Sequence, residues 1–128
     1  MKNLVFLLFA VTVAFSSYAQ TEIKKEYYPD GKIKSETPYV DGKKNGIEKS
    51  YYESGKTHWE TPYLNDKLNG IIKGYSLNGL LRTESPYVDG KKTGITKRYY
   101  ENGNIEMTIN DSTKEIKFFE ILFFSNPI

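Results

Sequence analysis

The sequence contains no cysteine and a single histidine, His58. Without thiols the chain forms no disulfide and no thiolate centre, even in an oxidising compartment. A metal site needs several converging ligands, and one histidine without recurring partners does not supply them. His58 also takes the place that Lys34 and Arg82 take 24 residues to either side. We therefore expect an exposed strand residue rather than a base or ligand, and predict no metal and no cofactor.

A strong charge of either sign is also missing. The chain has 18 basic and 16 acidic side chains, interspersed along its length. Proteins that bind nucleic acid or anionic lipid by electrostatics carry clustered basic residues. The composition therefore argues against nucleic-acid binding and against a polybasic membrane contact.

A long apolar run occurs at the N-terminus, where residues 4–15 read LVFLLFAVTVAF after Lys2. Twelve helical residues rise about 18 Å, well short of the ~30 Å hydrocarbon core. Small residues at Ser17 and Ala19 then precede Gln20, as at a signal-peptidase site. The pattern predicts a signal peptide over residues 1–19 that is removed, an exported protein whose membrane contact is limited to that signal, and one domain over residues 20–128.

The rest of the chain is dominated by a repeat of 24 residues without insertions. Several residue types recur in one register, which excludes coincidence. The units are residues 27–50, 51–74 and 75–98, followed by a degenerate fourth unit and cap over 99–128. If the register persists, Phe119 takes the place of Ile47, and Phe123-Phe124 take that of Tyr51-Tyr52. The apolar tail from Ile116 to Phe124 is then a closing strand pair that caps the sheet.

Each unit has two turn signals, both ending in glycine. The shorter is an Asp-Gly, Ser-Gly or Asn-Gly pair, which suits a tight turn with two positive φ angles; the longer is a polar segment such as residues 41–46. Segments of six to eight residues rich in Tyr, Thr and Ile lie between them, and this is strand length and composition. The fold class predicted is all-β: an elongated antiparallel meander sheet of stacked β-hairpins. The structural turn glycines are Gly31, Gly55, Gly79 and Gly103, and Gly46, Gly70 and Gly94.

Recurring carboxylates are the next candidates for chemistry, at Glu36, Glu60 and Glu84. Paired carboxylates can act as acid and base. Equivalent strands of an alternating meander are, however, about 10 Å apart. The strands between carry Lys49, Lys73 and Lys97, so an alternating Glu–Lys ladder explains the pattern without catalysis. We predict that the protein is not an enzyme.

Tyrosine is the best candidate for binding, because every unit has at least two. Aromatic side chains stack on sugar rings and anchor protein interfaces. In a thin sheet they are also the main apolar material, and both interpretations stay open. The candidate aromatic binding face comprises Tyr39, Trp59, Tyr63 and Tyr87, together with Tyr51, Tyr75 and Tyr99.

The blocks YVDGKKNGIEKSYYESG at 39–55 and YVDGKKTGITKRYYENG at 87–103 resemble the variant MORN repeat. The copy at 63–79 departs from it, with Asp66 for a glycine and Ser76 for a tyrosine. The resemblance implies β-hairpins stacked into an elongated, twisted sheet and no catalytic residues. Bacterial proteins with this repeat are often named YwqK-type antitoxins, and eukaryotic MORN repeats have been associated with membrane lipids and dimerisation.

Three functions remain open on this basis. The first is a repeat scaffold in the cell envelope that binds a protein partner or itself. The second is an antitoxin or immunity-type inhibitor of an exported toxin. The third is a carbohydrate or cell-wall binder that uses Trp59, Tyr63 and Tyr87.

Overall fold

The computed structural model describes residues 20–120, so the predicted signal peptide and Phe123-Phe124 lie outside the described residues. Residues 20–120 form twelve strands and one sheet. The strands are β1 Thr21–Tyr27, β2 Ile33–Val40, β3 Lys43–Lys44, β4 Gly46–Tyr51, β5 Thr57–Leu64, β6 Lys67–Leu68, β7 Gly70–Tyr75, β8 Leu81–Val88, β9 Lys91–Lys92, β10 Ile95–Tyr99, β11 Ile105–Asn110 and β12 Ile116–Phe118.

The long strands lie side by side in chain order, from β1 at one edge to β12 at the other, and neighbours pair antiparallel. The all-β meander of stacked hairpins predicted from the repeat is therefore confirmed. Strand β1 was not assigned from the sequence. It is the second half of an incomplete unit, because Ile23, Lys25 and Tyr27 stand 24 residues before Ile47, Lys49 and Tyr51.

The turn with two positive φ angles is found in the longer polar segment and not in the short turn, contrary to the prediction. In the short turn only glycine has a positive φ: Gly31, at φ 84°, donates its N–H to the carbonyl of Tyr28. The tight turn with two positive φ angles instead occurs inside the longer polar segment, at Asp41-Gly42 with φ 50° and 77°. That turn joins β2 to β3, where Val40 faces Lys43.

Proline explains why the strand after this turn is divided in two. Both β3 and β4 pair with β2, but the pairing is interrupted opposite Pro38. Pro38 has no N–H to donate, so the partner strand bulges there. The carbonyl of Pro38 still accepts the N–H of Asn45 at 3.0 Å, and Pro62 and Pro86 repeat the arrangement with Asn69 and Thr93.

The last unit does not keep the register predicted for it. Lys117 lies opposite Thr108, where the repeat spacing would place residue 121. Asn110 stands where the earlier units have proline, and the turn at residues 111–114 is shorter than its counterparts. The prediction that Phe119 takes the place of Ile47 is therefore wrong: Phe119 follows β12 and donates its N–H to the carbonyl of Glu106.

The sheet is a single layer along its described length. Among residues 20–120 no apolar side chain is buried, and the buried polar ones are Thr37 and Thr96. Stability therefore comes from strand pairing and from contacts between side chains across neighbouring strands. Both faces of the sheet are therefore accessible as candidate binding surfaces.

Candidate binding faces of the sheet

A row of alternating lysine and glutamate crosses one face of the sheet, which we call the ladder face. Its members lie directly opposite one another on successive strands, so their side chains share a face. The row confirms the Glu–Lys ladder predicted from the spacing. In order it contains Lys25, Glu36, Lys49, Glu60, Lys73, Glu84 and Lys97.

Lysine and tyrosine side chains of neighbouring strands contact the ladder carboxylates and fix their positions. Lys25 Nζ lies 2.8 Å from Glu36 Oε1, and Lys49 Nζ lies 3.8 Å from Glu60 Oε1. The hydrogen bonds from Lys25 and from the Tyr51 hydroxyl hold the pKa of Glu36 below its usual range. Glu36 is thus held in its ionised, ion-paired form and has no proton to give, which assigns it a structural place in the ladder.

Three of the predicted tyrosines lie on the ladder face. Tyr51, Tyr75 and Tyr99 donate their hydroxyls to Glu36, Glu60 and Glu84 at 2.8, 3.0 and 2.7 Å. Burial and the accepting carboxylate raise the pKa of all three, in Tyr99 to about 12. Each tyrosine therefore ties one unit to the preceding one.

The raised pKa of Tyr99 predicts a loss of stability in alkali. Below pH 10 the hydroxyl is protonated in both the folded and the unfolded chain, and its stabilising contribution is complete. Between pH 10 and about 12 the unfolded chain ionises first, so this contribution falls as the pH rises. We expect the urea midpoint of wild type to fall more steeply over this range than that of Tyr99→Phe. Equal slopes would contradict the prediction.

An apolar band runs beside the ladder on the same face. Isoleucine lies opposite proline at Ile23–Pro38, Ile47–Pro62 and Ile71–Pro86. Half or more of each isoleucine is exposed, from 50% to 59%, although isoleucine is among the residues most often buried. This isoleucine–proline band consists of Ile23, Pro38, Ile47, Pro62, Ile71, Pro86 and Ile95, with the exposed Leu64 and Val88 at its border.

The remaining predicted aromatic residues lie on the other face, which we call the threonine face after its buried Thr37 and Thr96. Tyr39, Tyr63 and Tyr87 alternate with the ladder glutamates along their strands and so point away from them. Two of the rings are already covered: Lys24 Nζ lies 4.5 Å from the Tyr39 ring centre, and Lys44 Nζ lies 4.6 Å from that of Tyr63.

Trp59 shares the threonine face and lies beside a position of β7 that has no side chain. Gly74 is its partner across the strands, and Thr83 lies on the far side of that glycine. The other units have Ser50 or Arg98 in place of Gly74. A large ring in one strand is thus matched by the absence of a side chain in the next.

The predicted single aromatic face is therefore divided between two faces. Tyr51, Tyr75 and Tyr99 lie on the ladder face, whereas Tyr39, Trp59, Tyr63 and Tyr87 lie on the threonine face. Tyr39 and Tyr51 are twelve residues apart, an even spacing that strand alternation alone would place on one face. The two-residue turn at Asp41-Gly42 sets Val40 opposite Lys43 and so reverses the alternation, which the sequence did not show. A binding role for these residues stays a prediction.

His58 is half-buried rather than exposed, contrary to the prediction. It occupies the irregular position between Trp59 and Thr57, which pair with Ser50 and Tyr51. Its ring stacks on Tyr52 with centres 4.1 Å apart. Within residues 20–120 no cluster of histidine and carboxylate side chains could hold a metal ion. In the same range, no helix is long and apolar enough to cross a bilayer.

The second tyrosine of each pair has a role that the sequence did not reveal. Tyr28 donates its hydroxyl to the carbonyl of Tyr51, and Tyr52 donates to that of Tyr75, both at 2.6 Å. These side chains thus connect successive hairpin turns, which lie in a row at one end of the strands. The third unit has Ser76 at this position, and its hydroxyl bonds within its own turn to the carbonyl of Leu80.

Tyr52→Phe is expected to lower the free energy of unfolding by about 1 kcal/mol, because it removes one part-buried hydrogen bond and leaves the ring in place. Tyr100→Phe is the matched comparison. Its hydroxyl reaches the carbonyl of Phe119 at 3.1 Å in an exposed position, so a smaller loss is expected. Urea unfolding of both variants measures the difference. A loss from Tyr100→Phe as large as that from Tyr52→Phe would contradict this assignment.

All seven predicted turn glycines have positive φ, from 66° at Gly94 to 124° at Gly70. They fall into two groups by their surroundings. A Cβ at Gly31, Gly55, Gly79 or Gly103 would meet open space. At Gly46 and Gly70 it would lie 2.9 Å from Cγ of Pro38 and Pro62, and at Gly94 it would lie 3.4 Å from Cγ of Pro86. The second group therefore brings the band prolines and the strand backbone into close contact.

Comparison with known families gives matches to the MORN repeat variant at three places, residues 23–41, 44–65 and 92–110. The first match begins within β1, at residue 23, in accord with the place of that strand as half a unit. The stretch between the second and third matches contains the departures at Asp66 and Ser76. MORN repeats form a non-catalytic family of hairpin-like repeats that commonly serve as scaffolds for interactions with proteins or membranes. No curated protein and no solved structure matches the chain significantly.

Proposed function

We propose that this protein is a non-enzymatic scaffold of the cell envelope, exported by its N-terminal signal, which binds a protein partner through the isoleucine–proline band. The observation that carries the proposal is the exposure of Ile23, Ile47, Ile71 and Ile95 in one row. Soluble monomers rarely expose contiguous apolar patches larger than a few hundred Å², and patches of that size with a polar rim mark interaction sites.

The dimensions of the band suit a protein surface. It crosses seven neighbouring strands, or about 29 Å at a strand spacing of ~4.8 Å. The ladder of Lys and Glu borders it and supplies a polar rim, as in many protein interfaces. The threonine face gives less support to glycan binding, because lysine side chains already cover rings of Tyr39 and Tyr63.

The test compares two variants, each of which has two exposed apolar residues replaced by aspartate. Ile47→Asp/Ile71→Asp places two carboxylates in the band, whereas Leu77→Asp/Leu80→Asp places two in a hairpin turn beyond it. Each tagged protein is incubated with envelope extract, and captured proteins are quantified. We expect wild type and the turn variant to capture the same protein saturably and the band variant to lose it.

Circular dichroism spectra that match wild type establish that both variants are folded. Equal capture by the band variant would overturn the role of the band. The identity of the captured protein distinguishes an envelope component from a toxin.

Mass spectrometry of the protein recovered from its host tests export, since a chain that begins near Gln20 is expected.

A further inference from the structure

The edge strand β1 differs from the inner strands that end the other units. Strands β4, β7 and β10 each pair on both sides, whereas β1 ends the sheet and, within residues 20–120, pairs with β2 alone. All seven of its residues are exposed. An edge of this length presents unpaired N–H and C=O groups that can accept another strand.

The pairing with β2 determines which groups face outward. Asp41 donates its N–H to the carbonyl of Gln20, and hydrogen-bonded pairs alternate along an antiparallel ladder. Glu22, Lys24 and Glu26 therefore turn their backbone groups toward β2. Thr21, Ile23 and Lys25 turn theirs outward, and Ile23 accordingly lies opposite Pro38, which has no N–H.

The side-chain ladder is also incomplete at this edge. Each inner lysine of the row lies between two glutamates: Lys49 between Glu36 and Glu60, and Lys73 between Glu60 and Glu84. Lys25 has Glu36 on one side and the sheet edge on the other. Among the described residues, no side chain occupies the next position of the row and no strand pairs with the outer side of β1.

We propose that β1 binds an extended acidic peptide of a partner protein, which adds to the sheet as an antiparallel strand. Its carboxylate lies opposite Lys25, and an apolar residue with a free N–H, two positions later, lies opposite Ile23. The spacing is that of glutamate and proline in β2, β5 and β8, but proline itself would leave the outward carbonyl of Ile23 without a donor. Addition of a strand to an exposed edge is a common mode of peptide recognition.

The charges of β1 disfavour a second copy of the same edge as the occupant. In a symmetric antiparallel pair centred on the strand, Lys24 would face Lys24 of the other copy. Like charges directly opposite each other destabilise a sheet. A peptide with a carboxylate opposite Lys25 meets attraction instead. This site is separate from the contact proposed for the inner part of the band, and either can hold without the other.

The test uses a labelled synthetic peptide, IKSETIYV, which is the sequence of β2 with isoleucine in place of its proline, and the protein in the form that its host produces. Binding is measured by fluorescence anisotropy. Lys25→Glu should weaken binding at least tenfold, and a peptide with Glu replaced by Lys should recover affinity for that variant. Ile23→Pro should also weaken binding at least tenfold, because it removes an outward donor that β2 does not use.

Lys56→Glu, in the turn after β4, makes the same charge change far from the edge and should bind as wild type does. Absence of saturable binding to wild type, or equal binding by Ile23→Pro, would overturn the proposal. Oligomers that Ile23→Pro disperses would assign the edge to a second copy and would also overturn it. Failure here leaves the capture experiment on the band unaffected.

Discussion

Gly70→Ala is expected to lower the free energy of unfolding by about 2–4 kcal/mol, since it adds strain in the backbone to a steric clash. Gly70 has a φ of 124°, at which the backbone of any residue other than glycine is strained. The Cβ of an alanine at this position would lie 2.9 Å from Pro62 Cγ. The hydrogen bond from the N–H of Asn69 to the carbonyl of Pro62 opposes the separation of the two segments that would relieve this contact. Urea unfolding followed by circular dichroism measures the loss.

Two further variants separate the causes. Gly90→Ala has φ 80° and open space around the new Cβ, so it reports backbone strain alone and should cost about 1 kcal/mol. Pro62→Ala in the Gly70→Ala background should recover part of the loss by removing the clash. Equal losses at Gly70 and Gly90 would show that the contact with proline contributes nothing.

Gly74→Ser is expected to cost about 1–3 kcal/mol, the range for overpacking. A Cβ at Gly74 would lie 2.5 Å from Trp59 Cζ3 and 2.7 Å from Thr83 Cγ2. The chain itself offers the compensating change, because the first unit has Ser35 and Ser50 at the equivalent paired positions. Trp59→Ser should therefore relieve the strain that Gly74→Ser introduces.

A double-mutant cycle in urea tests this pairing. We expect Trp59→Ser/Gly74→Ser to be more stable than the sum of the single losses predicts, with a coupling of about 1–2 kcal/mol. Strictly additive losses would mean that the tryptophan ring moves aside without cost and that the large–small match has no energetic basis.

Much of the fold could be predicted because the period and the strand alternation depend on local chemistry. The Lys49–Glu60 ladder followed from these two properties. The turn geometry did not follow, because an Asp-Gly pair is compatible with several turns, and the proline-induced bulge lies in a segment that resembles an ordinary loop. The shift at Lys117 was hidden because the last unit shortens a turn without leaving a repeated residue to mark it.

The candidate surfaces were less predictable than the fold. Tyrosine is the recurring aromatic residue of the repeat, yet Tyr51 and Tyr39 lie on opposite faces and are engaged by Glu36 and Lys24. The exposed band consists of Ile47 and its counterparts, which a sequence alone assigns to an interior. Only the single-layer architecture, in which neither face is covered within residues 20–120, identifies these isoleucines as surface.

The path of the chain across the sheet has a mechanical consequence. Because β1 and β12 occupy opposite edges, a force applied between the ends of the described region pulls strands away sideways and loads one strand pair at a time. Each unit contacts only its neighbours, so units can be released in succession. Every 24-residue unit that opens adds about 80 Å of extended chain. The protein would behave under tension as a compliant tether that lengthens in steps and shortens again as each hairpin re-forms.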